Sequence, residues 1–150
     1  MIRISTRGRY TLRAMVDLAE HSHNGPVPRR DIARRQEISA DYVAQLFRQI
    51  QAAGLIESVK GPGGGYRLAL DASEITASDV IEAVEGPIAV VHCVLGCPEG
   101  ETACTRVEQC PAHLLWVQLS ESMTQVLGSV TLEDLVDQAS QLGGNQASSA

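Results

Sequence analysis

Three segments of helical period, followed by two short alternating segments around a glycine cluster, predict a mainly α chain with a small β-hairpin. A longer apolar-striped segment beyond the hairpin predicts a further, extended helix. Composition agrees: the chain is 44% hydrophobic but only 3% aromatic, so its core must rest on Leu, Val, Ile and Ala. At 150 residues it can bury one good core or two small ones.

Residues 10–21 carry Leu12, Met15, Val16, Leu18 and Ala19 at helical spacing, with Arg7, Arg9 and Arg13 around the start. Asn24-Gly25-Pro26 interrupts that segment. Residues 29–36 read as a short helix with Ile32 and Ala33 inward. Ser39 is placed to cap a third helix over 40–53, whose apolar stripe is Val43, Leu46, Phe47 and Ile50. Gly54 stands where a left-handed residue ends a helix. Residues 55–59 and 66–70 then alternate as strands around Gly61-Pro62-Gly63-Gly64-Gly65, a hairpin with a compact tip. Thr76 with Asp79 forms a capping box ahead of Val80, Ile81 and Val84, and this helix should end near Gly86-Pro87. Pro111 suits the first turn of a long helix to about residue 127, striped by Leu115, Leu119, Met123, Val126 and Leu127. A stripe of that kind needs a partner, and a second copy of the chain is the simplest one. Thr131 with Asp134 repeats the capping pattern before Leu132, Leu135 and Val136, and 143–150 reads as a disordered polar tail.

Net charge is −6, but its distribution matters more. Residues 1–70 hold 11 Lys+Arg against 6 Asp+Glu, whereas 71–150 hold one basic residue, Arg106, against 12 acidic ones. A basic first half beside an acidic second half implies a polyanion-binding module joined to something that does not touch the polyanion. Three helices and a hairpin in this order are the elements of a winged helix-turn-helix, in which the short turn before the third helix aims it at a major groove. The organisation expected is a DNA-binding domain over 1–71, a ligand loop and dimerisation helices over 72–142, and a tail over 143–150. Arg7, Arg9, Arg29, Arg48, Lys60 and Arg67 fall where such a fold meets phosphates, as do Arg30, Arg34 and Arg35. Ser39 starts the recognition helix, and Asp41, Tyr42 and Gln45 are the candidate base-edge contacts. The Gln45 amide can pair with adenine in bidentate fashion. Gly63, Gly64 and Gly65 would carry the wing along the minor groove of a pseudo-palindromic operator bound by a homodimer.

All four cysteines, Cys93, Cys97, Cys104 and Cys110, fall in one short stretch, separated by three, six and five residues, with His113 one helical turn beyond. Clustered thiolates suit zinc or an iron–sulfur cluster. No C-x-x-C pair is present, and the loose spacing fits a cluster in an irregular loop better than a zinc knuckle. No apolar run approaches about 18 residues and the first residues carry none, so neither a membrane partner nor a leader is expected. The expected compartment is the cytoplasm, where thiols stay reduced and structural disulfides are rare.

Taken together, Ser5-Thr6-Arg7-Gly8-Arg9-Tyr10, Tyr42-Val43-Ala44-Gln45-Leu46-Phe47, Gly61-Pro62-Gly63-Gly64-Gly65-Tyr66 and Cys110-Pro111-Ala112-His113-Leu114-Leu115-Trp116 resemble the IscR-like family of iron–sulfur cluster regulators, dimeric winged-helix transcription factors. The resemblance runs from about Arg3 to Val136. It implies cluster ligands at Cys110 and His113, with Cys104 and Cys93 completing the set, and a two-iron two-sulfide cluster ahead of a four-iron form. The chain departs from the family pattern in three places. Cys97 is an extra thiol in a lengthened interval, so either Cys93 or Cys97 supplies the third thiolate, and a four-cysteine site without His113 is the alternative. Arg9 stands where nitric-oxide-sensing relatives carry an aspartate ligand, and Ala44 stands at a recognition-helix position that is glutamate in the best-known cluster regulator.

The function expected is therefore a cluster-sensing transcriptional regulator or repressor, controlling cluster assembly or related iron and redox genes. The alternatives are a regulator of the same fold that uses zinc, thiol oxidation or nitric oxide, and an electron carrier, which has no need of a basic winged-helix half. No nucleophile–base pattern, nucleotide-binding glycine motif or acidic metal dyad points to an enzyme.

Overall fold

The computed structural model describes residues 3–96 and 104–147 and contains six helices and one two-stranded sheet among them. Helix α1 spans Thr6–His21, α2 Arg29–Gln36 and α3 Ala40–Ala52. Strands β1, Ile56–Val59, and β2, Gly65–Leu68, pair antiparallel, and α4 covers Ala77–Glu85, α5 His113–Gly128 and α6 Leu132–Ala147. Among the described residues no helix is long and apolar enough to cross a membrane.

Local chemistry explains most boundaries. Helix α1 begins four residues before the apolar period does, because the Ser5 hydroxyl accepts from the Gly8 amide at 3.0 Å and caps it. Ser39 caps α3 in the same way, accepting from the Tyr42 amide at 3.0 Å. The capping box of α4 is complete: Asp79 N–H donates to the Thr76 hydroxyl while Thr76 N–H donates to the Asp79 carboxylate. Thr131 and Asp134 do the same for α6, and hydrogen bonds donated by Thr131, backbone first, hold the Asp134 carboxyl below its ordinary range. Gly54, with φ 77°, turns the chain out of α3.

Helix α6 continues past Gly143 to Ala147. Once capped at Thr131, the helix gains a further backbone bond with each residue it adds, which outweighs the poor propensity of two glycines. The division at residue 71 also meets a shared core: Ile75, Val80 and Val84 of the α4 region and Leu132 of α6 are buried with Met15 and Leu18 of α1 and with Val43, Leu46 and Phe47 of α3. Helix α4 is too short to bury its apolar stripe alone, so it lies against α1 and α3.

The wing is joined to this body at Val27, in the link between α1 and α2. Val27 N–H donates to the Tyr66 carbonyl at 2.8 Å and Tyr66 N–H returns the bond at 2.9 Å. The Tyr66 ring meets Phe47 edge-on, 4.9 Å between centroids. Such an approach leaves no room for a side chain at Gly65, where a Cβ would stand 2.2 Å from the Val27 carbonyl oxygen. Gly65→Ala is expected to lift the hairpin from Val27 and cost about 1–3 kcal/mol, measured as a lower urea midpoint with an unchanged slope.

Candidate nucleic-acid interface and thiol segment

Helix α3 is amphipathic in a way that exposes the residues anticipated as base readers. Val43, Leu46, Phe47 and Ile50 are buried, which leaves Asp41, Gln45 and Arg48 exposed on the opposite face, spaced four and three apart. Tyr42 is half-buried, because its ring lies 6.1 Å from that of Tyr10 at an interplanar angle of 76°. Ser39 is occupied as the α3 cap. Ala44, half-buried, offers no polar group.

The arginines divide into two sets. Arg29 and Arg30 are exposed at the start of α2, Arg48 is exposed on α3, and Lys60 is exposed at the wing. Arg7 donates to the Gln49 side chain, and Arg9 donates to the Thr6 hydroxyl at 3.3 Å. Arg34 lies 3.9 Å from Asp31, and Arg67 lies 2.8 Å from Glu57, its cross-strand partner. Both members of the Arg67 pair are more than half exposed, so it contributes no more than about 1 kcal/mol and yields easily to a phosphate. Gly63 is exposed at the tip, and Gly64 and Gly65 are half-buried behind it.

Arg35 departs from the expected phosphate-facing set. Its guanidinium turns inward to Asp17 of α1, with Nη2 2.7 Å from Oδ1 and Nε 2.9 Å from Oδ2. The Asp17 side chain is only 2% exposed and also accepts from the Gln36 amide at 2.9 Å. Hydrogen bonding to this carboxylate raises the Arg35 pKa above its ordinary value, against the opposing effect of burial. Helical period alone did not single out Asp17, although an acid among Met15, Val16, Leu18 and Ala19 was the available signal.

The thiol segment lies at the other end of the molecule's sequence logic, between α4 and α5. Cys93 is half-buried on a 3₁₀ turn at His92–Val94, Cys104 is exposed ahead of a second such turn at Val107–Gln109, and Cys110 is half-buried. These three are free thiols; Cys97 lies outside the described residues. His113 N–H donates to the Cys110 carbonyl at 3.1 Å, so those two residues share one turn at the head of α5. The His113 Nδ1 is buried and has no hydrogen-bond partner. Among the described residues no three His, Cys, Asp or Glu side chains converge closely enough to hold a metal ion. The structure thus brings Cys110 and His113 together but does not gather Cys93 and Cys104 around them. By its chemistry the donor set still fits a soft metal centre, since unpaired thiols and an unpartnered imidazole nitrogen are what such a centre takes.

Helix α5 carries this segment and is itself thinly covered. Ser120 is its buried residue; its hydroxyl donates to the Trp116 carbonyl and accepts from Val90 N–H at 3.1 Å, tying the strand of chain before Cys93 to the helix. Leu114, Leu115 and Val126 remain more than half exposed.

The sequence profile of the Rrf2 family, described as iron-dependent transcriptional regulators, matches residues 4–138. The HTH-type transcriptional regulator IscR of Xenorhabdus nematophila is 44% identical over 135 residues, covering 90% of this chain and 79% of its own. Among solved structures, CymR, the global cysteine regulator of B. subtilis, superposes with a TM-score of 0.73 at 37% identity, covering 92% of this chain and 98% of that one. T. potens IscR superposes with a TM-score of 0.70 at 34% identity, covering 92% and 88%.

The buried pair yields a stability test. Arg35→Ala leaves Asp17 charged, enclosed and short of its main partner, and is expected to cost about 3 kcal/mol, seen as a lowered melting temperature.

Proposed function

The chain belongs to the Rrf2 family of iron-dependent transcriptional regulators, and from that premise we propose that it is a homodimer that reads a pseudo-palindromic operator with α3 and reports the occupancy of an iron–sulfur cluster. It is a DNA-binding transcription regulator of the IscR type, and the family is not one of enzymes. The observation that carries the fuller reading is the buried, unpartnered Nδ1 of His113 beside Cys110 at the head of a helix whose apolar face is left open.

Two copies joined along α5 would bury Leu115, Met123 and Val126 and present two α3 helices related by a two-fold axis. Their spacing must match one turn of duplex or a multiple of it. Asp41, Tyr42 and Gln45 face base edges in this reading. Arg7, Arg9, Arg29, Arg48 and Lys60 neutralise phosphates, joined by Arg67 once it leaves Glu57. The wing at Gly63, Gly64 and Gly65 lies along the minor groove.

Cys104, Cys110 and His113, with Cys93 or Cys97 as the third thiolate, would hold the cluster, of two-iron two-sulfide type ahead of four-iron. When bound, such a cluster supplies strong iron–ligand bonds whose presence follows iron and sulfide supply. Cysteine binds as thiolate and histidine through a neutral ring nitrogen, so each thiol gives up its proton. Cys110 and His113 open α5, and Ser120 ties the Cys93 side of the loop to the same helix. Ligation would therefore restrain the loop on α5 and alter how the winged halves sit relative to it. A differential affinity of about 1–3 kcal/mol between the two forms suffices for control. The targets fitting this chemistry are cluster-assembly and related iron genes, and the compartment is the cytoplasm. With Ala44 in α3, the form without cluster keeps affinity for the same operator, since no carboxylate stands at that position to be left unpaired.

A second reading, direct thiol oxidation, draws on the exposed free Cys104. An anaerobic visible spectrum with iron and sulfide analysis separates the two readings, because oxidised thiols are colourless there. Cys110→Ala is expected to lose the visible bands and the bound iron while keeping a folded dimer. Full iron and sulfide in that variant would exclude the site. Gln45→Ala is expected to weaken operator binding by about 1–3 kcal/mol and to relax one operator position. Titration at fixed salt measures both effects, because phosphate contacts make all affinities salt-dependent.

A further inference from the structure

One face of α1 grips both sides of the turn between α2 and α3. Tyr10, Arg13 and Asp17 are spaced three and four residues apart, so they line a single face. Asp17 holds the last turn of α2 through Arg35 and Gln36. Arg13 then takes the other side of Gln36, donating from Nε to its side-chain oxygen at 3.1 Å and from Nη2 to its carbonyl at 3.4 Å. The Arg13 guanidinium lies 5.1 Å above the Tyr10 ring, and Tyr10 meets Tyr42, in the first turn of α3, edge to face. Between these two holds the chain passes through Glu37, a non-glycine residue in the left-handed region at φ 57°, so the turn is sharp and its angle depends on what fixes its two ends.

We propose that Tyr10, Arg13 and Asp17 are positioning residues for sequence recognition, setting the angle at which α3 presents Tyr42 and Gln45 to a base edge. The physical reason is one of lever arm. Apolar burial of Leu46 and Phe47 holds α3 against the body but is non-directional, whereas hydrogen bonds and ring contacts at the turn define an orientation. A small rotation at Ser39 leaves phosphate contacts, which are long and adaptable, largely intact. It misaligns a bidentate amide–base pair, which is not adaptable. The proposal rests on the reading of α3 as the base-reading helix.

The test uses the full chain, purified anaerobically, on a duplex that the wild-type protein enriches from a random pool and on a scrambled duplex of equal length. Arg13→Lys keeps the charge on an exposed side chain but removes the planar fork that holds Gln36. It is expected to lower the ratio of operator to scrambled affinity about tenfold, with scrambled binding and melting temperature unchanged. Tyr10→Ala should lower the ratio likewise, with a lower melting temperature because its ring packs on the core, while Tyr10→Phe, which keeps the ring edge, should match wild type in both. An unchanged ratio in Arg13→Lys, or an equal loss on both duplexes, overturns the proposal. Gln45→Ala in the same assay judges the underlying reading separately. Equal loss on both duplexes there removes Gln45 as a base reader, while the stripe is still decided by the Arg13→Lys ratio.

Discussion

A carboxylate enclosed within α1 fixes the arrangement of α1 and α2 through directional bonds, which apolar burial does not supply. A guanidinium and an amide are brought to the Asp17 carboxylate, because an unpaired buried charge is costly by several kcal/mol. Those two groups, Arg35 and Gln36, are consecutive residues in the last turn of α2. Satisfying Asp17 therefore fixes where α2 ends, and with it where the turn to α3 begins. Apolar burial of core residues such as Met15, Leu18, Ile32 and Phe47 holds the same helices together but is non-directional and tolerates small rotations that the ion pair does not.

The other contacts of α1 extend the same logic. At its N-terminus Ser5 donates to the Glu85 carboxylate through both N–H and hydroxyl, at 3.0 and 2.6 Å. That joins the first turn of α1 to the last residue of α4. An anionic group at a helix N-terminus is favoured by the orphan amides there. Gly8 permits the approach, since a Cβ at this position would lie 2.1 Å from the Glu85 oxygen. Helix α1 is thus bonded to α2 at its far end and to α4 at its near end. The thiol segment begins just beyond Gly86, so it hangs from an element fastened directly to α1.

Helix α5 packs against α4 but is thinly covered. Its buried side chain, Ser120, is polar, and Leu114, Leu115 and Val126 are more than half exposed. With so little apolar surface covered, the helix gains little stability from its own chain. At the head of that helix Cys110 and His113 share a turn, so whatever the thiol segment binds would be felt first at the start of α5.

Local rules determined much of this from sequence alone. The caps at Ser39, Thr76 and Thr131, the order of helices and hairpin and the exposed face of α3 all follow from spacing and from bonds between residues three or four apart. Such interactions are complete within one element, so they are legible before the elements are packed. What only the tertiary structure decided lies between elements. Arg35, one basic residue among several around α2, turns inward because α1 and α2 cross where Asp17 is buried. Helices α4 and α6 share a core with α1–α3, because neither can bury its own stripe. Crossing angles between helices come from the whole set of side chains in contact, and no periodicity along a single segment encodes them.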